Sequence, residues 1–389
     1  MLFDPRLLFA LIWIGQILGL AAFGDVFGSF SWLTWGSIAC ATLGFGAGAL
    51  VAAATPALDA RLAPAQGKPD WLIQKAFSWF VVLYGIAGVL TTAKLYLILR
   101  GELGSAMSMP AVRQAIVYDF TGGRQIFSLL RVFFFGVGIC IYFLANAGSL
   151  TRRQLYVVVA IGLLSAILTT GRLYILLFFV AGAALFYRQG ILTTRGVFIV
   201  GGLFVGLFFL VAIVLQKGSP GNGVLEQVGW NTKVYTLSSV ACFDNYVQTG
   251  LQEIPGGALI PNAVRGFLDH LGLNIPLRPS LMPFVSVPLT CNTYTAMFPL
   301  YHDGRLPGII LGFFAIGLFH QFLFKWSSSS AKPMAWYLYA VSLYPLFMSS
   351  FEDAYFSSPG FWVLLWIPPA LHWLGKLIFK EPRKQAQVC

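Results

Sequence analysis

Charge is scarce in this chain of 389 residues: only 10% are Asp, Glu, Lys or Arg, with 14 acids against 25 bases. Its four histidines and five cysteines form no metal motif, since Asp-x-Asp, His-Glu-x-x-His and a histidine pair at ligand spacing are all missing. Tandem repeats are absent, as is the pair of interrupted helices that an inverted-repeat transporter carries. A basic patch interleaved with aromatics, the footprint of nucleic-acid binding, is missing too. So little charge excludes a soluble fold, because a chain of this size cannot bury its apolar residues around one core with so small a polar surface.

What is present is apolar: 58% of the residues are hydrophobic, in runs of 15 to 23. Such runs cross a bilayer as helices. The spans are expected at Leu7–Phe23, Leu33–Ala54, Phe77–Leu99, Ile126–Ala147, Leu155–Thr170, Leu173–Tyr187, Val197–Leu215, Pro307–Phe324, Met334–Phe351 and Phe361–Ile378. The expected fold is therefore all-α: a polytopic integral membrane protein of about ten transmembrane helices, one membrane domain over residues 1–389. The weakly basic "MLFDPR" makes the first run an uncleaved signal-anchor, although the small residues of "GLAAFGDVFG" resemble a cleavage site.

Basic residues in short loops stay cytoplasmic. With both termini cytoplasmic, every inner segment is basic: Arg6, Arg61, Lys68, Lys75, Arg152, Arg153, Arg188, Arg195, Lys325, Lys332, Lys376, Lys380, Arg383 and Lys384. The net charge of +11 is then mostly topology and contact with anionic lipid, and nucleic acid is not a partner.

Two outer segments exceed mere connections, residues 100–125 and the much longer 216–306. The second, rich in Gly, Pro, Asn and aromatics, is expected to form short helices joined by turns. It holds Cys242 and Cys291, which form either a disulfide in an oxidising compartment or two buried thiols.

The run "LSAILTTGRLYILLFF" contains one charge, Arg172. Between Arg153 and Arg188 lie 34 residues, which as one helix would reach about 50 Å across a core of about 30 Å. A hairpin with legs of about 16 residues, roughly 24 Å each, instead holds "TTGR" below the outer surface. A guanidinium at that depth demands an anion or water, unless it snorkels to headgroups. Arg131 repeats the placement. The outer half carries Arg100, Arg113, Arg124, Arg131, Arg172, Arg265, Arg278 and Arg305 against Lys94, Lys217 and Lys233, while the inner segments hold seven of each type. An excess of Arg over Lys suits bidentate capture of phosphate oxygens. Arg172, Arg113, Arg131, Arg265, Arg278 and Arg305 are thus the candidate diphosphate ligands.

With "TTGR" opening a span, "NTYTAMFPLYHDGRLPGIILG" closing the long loop and "AVRQAIVYDFTGGR" in the earlier one, the chain resembles the O-antigen polymerases (Wzy type), the repeat-unit polymerases of bacterial inner membranes. It departs from the Arg-x10-Gly spacing of some members: Arg113 reaches Gly123 after nine residues, and Arg265 has no such glycine. The resemblance implies a glycosyltransferase whose donor and acceptor are oligosaccharides on undecaprenyl diphosphate, with a chain-length regulator as a partner protein.

Such chemistry needs a base for the acceptor hydroxyl and cations for the leaving diphosphate, and no metal or other cofactor. A lone Asp25 in "GDVFGSF" leaves out the acidic first loop of metal-dependent lipid-linked glycosyltransferases. Candidate bases are His302 and Asp303 in "LYHDGRLPG", His270 in "RGFLDHLGL", and Glu352 and Asp353 in "SSFEDAYF". The blander alternatives are a turn before Pro307, the cap of a surface helix and a solvated acidic turn. His320 and His372 are read as packing or interfacial residues. Asn292, Tyr294, Tyr301 and Trp230 are the candidates for glycan contact, with Tyr235 and Tyr246 as further loop aromatics. An O-antigen ligase would use the same donor, and a transporter of a lipid-linked or anionic solute would need the same arginine-lined cavity.

Overall fold

In the computed structural model, residues 2–55, 70–108, 111–112, 114–116, 125–169, 172–214, 223–250, 254, 257–278, 282, 284–330, 332–357 and 359–378 are described. Fourteen helices are labelled here in chain order: α1 (Pro5–Ala22), α2 (Gly24–Phe27), α3 (Trp32–Ala54), α4 (Trp71–Leu103), α5 (Gln125–Ala145), α6 (Arg152–Leu168), α7 (Arg172–Arg188), α8 (Thr194–Val214), α9 (Val224–Thr232), α10 (Ser238–Thr249), α11 (Asn262–His270), α12 (Met297–Ser329), α13 (Pro333–Met348) and α14 (Pro359–Ile378). The strands among the described residues are two of two residues each, Val285–Ser286 paired antiparallel with Thr290–Cys291. The protein is all-α and membrane-embedded. Six helices, α1, α3, α4, α5, α8 and α12, are long and apolar enough to cross a bilayer, and α7 and α14 contain shorter apolar stretches.

A helix occupies each of the ten expected segments, and local chemistry explains where several begin. Asp4 accepts the Arg6 N–H ahead of Pro5, Ser31 accepts from Thr34, and Asp70 accepts from Leu72. Thr151 and Gln154 form a reciprocal capping box at α6.

Contacts at the helix ends bring the starts of α1 and α4 to the same end as the closes of α3, α5, α7, α12 and α14. At one end, Phe3 packs against Tyr187 at the close of α7, and Gln189 donates to the Leu144 carbonyl of α5 (2.8 Å). There Asp70, the N-cap of α4, binds Lys376 (2.7 Å) and His372 (3.1 Å) of α14, so the start of α4 and the close of the last helix lie together. Basic side chains also close other helices at this end. Lys325 Nζ donates to the carbonyls of Ala52 and Ala53 (both 3.0 Å), and Arg188 Nη2 donates to those of Ser327 and Ser328 (3.1 and 2.8 Å). Cations placed there meet the negative ends of α3 and α12. The opposite end carries the described residues between 223 and 306 and is called here the loop end.

Helix α13 is the most enclosed, with Tyr337 to Leu346 buried without interruption. A second axis is the parallel pair α3 and α12. A Cβ at Gly44 would overlap the Ile310 carbonyl, and one at Gly48 the Phe314 carbonyl. This small-xxx-small ridge lets two backbones approach more closely than side chains permit, and in lipid such packing replaces the hydrophobic drive between helices. Phe9 stacks on Phe45 beside the contact (centroids 4.0 Å apart). Gly46, between the two contact glycines, faces open space. Gly48→Leu is therefore expected to cost about 1–3 kcal/mol or more through overpacking, seen as a lower melting temperature in detergent, whereas Gly46→Leu should melt as the parent does. Equal melting of the two variants would refute the contact.

Candidate active site at the loop end

The long loop begins with α9 and α10, joined by a π-helical stretch at Lys233–Leu237. Cys242 of α10 is disulfide-bonded to Cys291 of the small hairpin, Cα–Cα 6.4 Å, at a sequence separation of 49. Closing a loop of that length restricts the unfolded chain by about 4 kcal/mol in the chain-entropy account. Asp244 accepts from the Ser31 backbone and hydroxyl (2.9 and 2.7 Å), which seats α10 on the start of α3.

After the hairpin the chain enters α12. Its first segment is buried through Met297, Phe298, Leu300 and Tyr301, and the helix breaks at Arg305 (φ 53°, ψ −146°), two residues before Pro307. On the last turn before the break, His302 and Asp303 are both committed. The Ile254 N–H donates to His302 Nε2 (2.9 Å), so the ring proton sits on Nδ1, which donates to Asp303 Oδ1 (2.6 Å). Asp303 also accepts the N–H groups of Ala258 (2.6 Å) and Leu259 (2.8 Å). The pair expected to supply the base is thus engaged in the structure: the His302 lone pair takes the Ile254 N–H, and the Asp303 oxygens hold Ala258 and Leu259.

Two further arginines serve the same loop. Arg265 of α11 is fully buried and donates to the carbonyls of Ile260 (3.0 Å) and Pro276 (2.9 Å). Burial and the neighbouring Arg278 charge lower its pKa, against the pull of Asp303. Arg278 donates to the Ala258 carbonyl (3.2 Å), lies over the Phe298 ring (5.8 Å) and faces Asp353 Oδ2 at 3.6 Å. Its backbone exchanges two hydrogen bonds with the Asn262 amide (2.7 and 2.9 Å). Of these two candidate diphosphate ligands, Arg265 is bonded to backbone carbonyls and Arg278 to a backbone carbonyl and a carboxylate of the same chain.

In the acidic turn Asp353 is buried and Glu352 half-buried. Asp353 is 5% exposed, and its Oδ1 accepts the N–H groups of Tyr355 and Phe356 (3.0 and 2.9 Å). Burial raises its pKa even though those N–H groups and Arg278 oppose it. The neighbouring Glu352 carboxyl accepts no hydrogen bond and forms no ion pair among the described residues. Burial, with the adjacent Asp353 charge, pushes it up from 4.5 to about 7. Tyr174 of α7 and Tyr344 of α13 lie within electrostatic reach of it. Tyr174 stacks on Phe134 of α5 (4.1 Å), so this acidic turn sits beside the start of α7, two residues after Arg172.

Arg172 is the first residue of α7, and α6 and α7 are both 17 residues long, matching the expected short-legged hairpin. Its side chain and the whole of Arg113 lie outside the described residues. Arg131 is exposed in the second turn of α5. Arg305 is exposed, lies over the Tyr301 ring (5.3 Å) and makes no hydrogen bond or ion pair among the described residues. His270, the last residue of α11, is exposed and remote from the buried acids in sequence and bonding.

The aromatic candidates divide. Tyr294 and Tyr301 are buried, 4% and 5% exposed, with their rings against Phe298 and Phe243. They are core residues and not open sugar platforms, as is Tyr246. Trp230 and Asn292 are half-buried, and Tyr235 is stacked on Phe351. His320 is fully buried, bonded to the Tyr355 hydroxyl (2.9 Å), while His372 belongs to the Asp70 cluster at the opposite end. Among the described residues no three His, Cys, Asp or Glu side chains gather as metal ligands.

No protein-family model matches this chain, and neither a curated protein nor a solved structure matches it. The site must therefore be judged on its own chemistry.

A carboxyl at about 7 when folded and near 4.5 when unfolded binds more protons in the folded state between those values. Stability should fall as pH rises from about 4.5 and level off above about 7, by up to roughly 3 kcal/mol. Denaturation followed from pH 5 to 8 should show this slope, and Glu352→Gln should flatten it. A slope unchanged in the variant would assign the titration elsewhere.

Proposed function

We propose that this protein is a polysaccharide repeat-unit polymerase of the bacterial inner membrane, of the O-antigen polymerase type. It crosses the bilayer ten times, keeps both termini in the cytoplasm and presents its loop end to the periplasm. The positive-inside distribution of basic residues supports that orientation.

The observation that carries the reading is the neighbourhood of Glu352. The Glu352 carboxyl, near neutral pKa and without a hydrogen-bond or ion-pair partner among the described residues, stands beside the start of α7, whose first residue is Arg172. An acid–base group of perturbed pKa beside a cationic residue, set at the mouth of a membrane domain, suits transfer from an anionic leaving group.

In the reaction, the terminal hydroxyl oxygen of the acceptor oligosaccharide attacks the anomeric carbon of the donor glycan. The bond from that carbon to the diphosphate oxygen breaks, and its electron pair leaves on undecaprenyl diphosphate. The hydroxyl proton passes to the Glu352 carboxylate, which is available once pH reaches the region of 7. Arg172 and Arg131 neutralise the charge that grows on the departing diphosphate. Arg265 and Arg278 hold the loop that covers the site.

Incubation of the purified protein with undecaprenyl-diphosphate repeat unit should yield a ladder of longer lipid-linked glycans. Arg172→Ala and Glu352→Gln should each cut the rate at least about a hundredfold, the scale of one acid–base or electrostatic group, and the parent rate should rise through pH 7. A normal ladder from Arg172→Ala would overturn the diphosphate role. Transfer to lipid A in place of a ladder would assign the ligase reaction.

A further inference from the structure

Beyond the break in α12, its outer half does not seal against α14. A cleft of about 700 Å³ opens sideways between them, its walls formed by Leu311, Ala315 and Phe319 of α12 and by Trp362 and Trp366 of α14, with Tyr355 of the acidic turn on its rim. The lining is almost wholly apolar. Leu311, Phe319 and Trp366 are exposed there, so the cleft faces the hydrocarbon side of the bundle. From Gly308 at its head to Phe319 the helix runs eleven residues, about 16 Å of depth.

The lining holds no charged side chain, but a cation lies just before its head in the chain. Three residues before Gly308 stands Arg305, exposed and without a hydrogen bond or ion pair among the described residues. Its backbone (φ 53°, ψ −146°) lies in a region that only glycine occupies without strain. An arginine kept where glycine would be easier points to a use for its side chain. The guanidinium also stands at the N-terminal end of the helix after the break, where the backbone dipole favours anions. The parts complement a molecule with an anionic head and one long apolar tail.

We infer that this cleft binds the isoprenoid tail of the polyprenyl-diphosphate carrier, with Arg305 holding its diphosphate at the mouth. The inference rests on the polymerase reading and adds the place where the lipid lies. One cleft between two helices takes one chain, whereas a membrane phospholipid brings two, and a diphosphate gives Arg305 two phosphate groups to engage bidentately. Tyr355 ties the occupant to the acidic turn: its hydroxyl bonds His320 of α12 at 2.9 Å, and it follows Glu352 by three residues. A tail seated in the cleft thus delivers the head group to the same side of the bundle as the proposed base.

The test uses the full-length protein in nanodiscs of phosphatidylethanolamine and phosphatidylglycerol, with a diazirine-bearing polyprenyl diphosphate as probe. Photolysis should label peptides spanning residues 308–319 and 362–366. Unlabelled undecaprenyl diphosphate should displace the probe, and phosphatidylglycerol in excess should not. Ala315→Trp, at an exposed position on the wall, should cut labelling at least tenfold without lowering the melting temperature. Arg305→Gly should melt no lower than the parent, because it removes the strain, yet should need several-fold more probe for half-maximal labelling. Unchanged labelling in Ala315→Trp, or equal displacement by phosphatidylglycerol, would overturn the cleft assignment. The ladder assay separates the two readings. Specific labelling without a ladder leaves the cleft standing and removes the polymerase, and a ladder with labelling indifferent to Ala315→Trp does the reverse.

Discussion

The loop end depends on one carboxylate. Asp303 accepts two backbone N–H groups from the 254–259 loop and the Nδ1–H of its neighbour His302, whose other nitrogen accepts a third. Four hydrogen bonds thereby fix an irregular segment against the last turn before the break in α12. An irregular backbone next to hydrocarbon has few other ways to satisfy its polar groups. Arg278 extends the clamp, since its guanidinium reaches both the Ala258 carbonyl of that loop and the Asp353 carboxylate of the acidic turn. Loop, broken helix and acidic turn are in this way one bonded unit.

Much of the fold was legible in the sequence because it follows from a single constraint: helices in lipid must be long, apolar and capped at polar ends. The ten apolar runs, the short hairpin around Thr169 and the pairing of Cys242 with Cys291 all rest on local pattern or on a short list of possibilities. The closeness of α3 and α12 was equally present in "GFGAG", but a small-xxx-small spacing names no partner helix. The break at Arg305 shifted the start of α12 ten residues ahead of the expected Pro307, because "MFPLYHDG" is a buried helix of mixed polarity and carries no long hydrophobic run.

The site was legible only in part, and the reason is partnership. Residue type and position marked His302, Asp303, Arg265 and Arg278 as candidates, yet what each does is set by backbone groups from five to 48 residues away, which no local pattern encodes. The same holds for Tyr294 and Tyr301, whose rings the packing encloses. In the other direction, the acidic turn looked solvated because two adjacent acids outside a span usually are. Burial by α7, α13 and Arg278 turned it into the most perturbed acidic pair of the loop end.

The basic residues show one principle acting at both ends with different results. At the end away from the loop, Lys325 and Arg188 close helix C-termini, so cations that sequence reading assigns to topology also answer the exposed carbonyls of α3 and α12. At the loop end, Arg265 and Arg278 bind carbonyls too, but within a loop instead of a helix terminus. Arg305 alone among the described arginines of that loop is held in a glycine-like conformation, with its guanidinium over the Tyr301 ring and its backbone three residues before the head of the cleft. A permanent cation with no anionic partner among the described residues, at the start of a helix that borders an apolar cleft, has a defined complement. It calls for negative charge joined to hydrocarbon, and in a membrane that combination is a lipid phosphate.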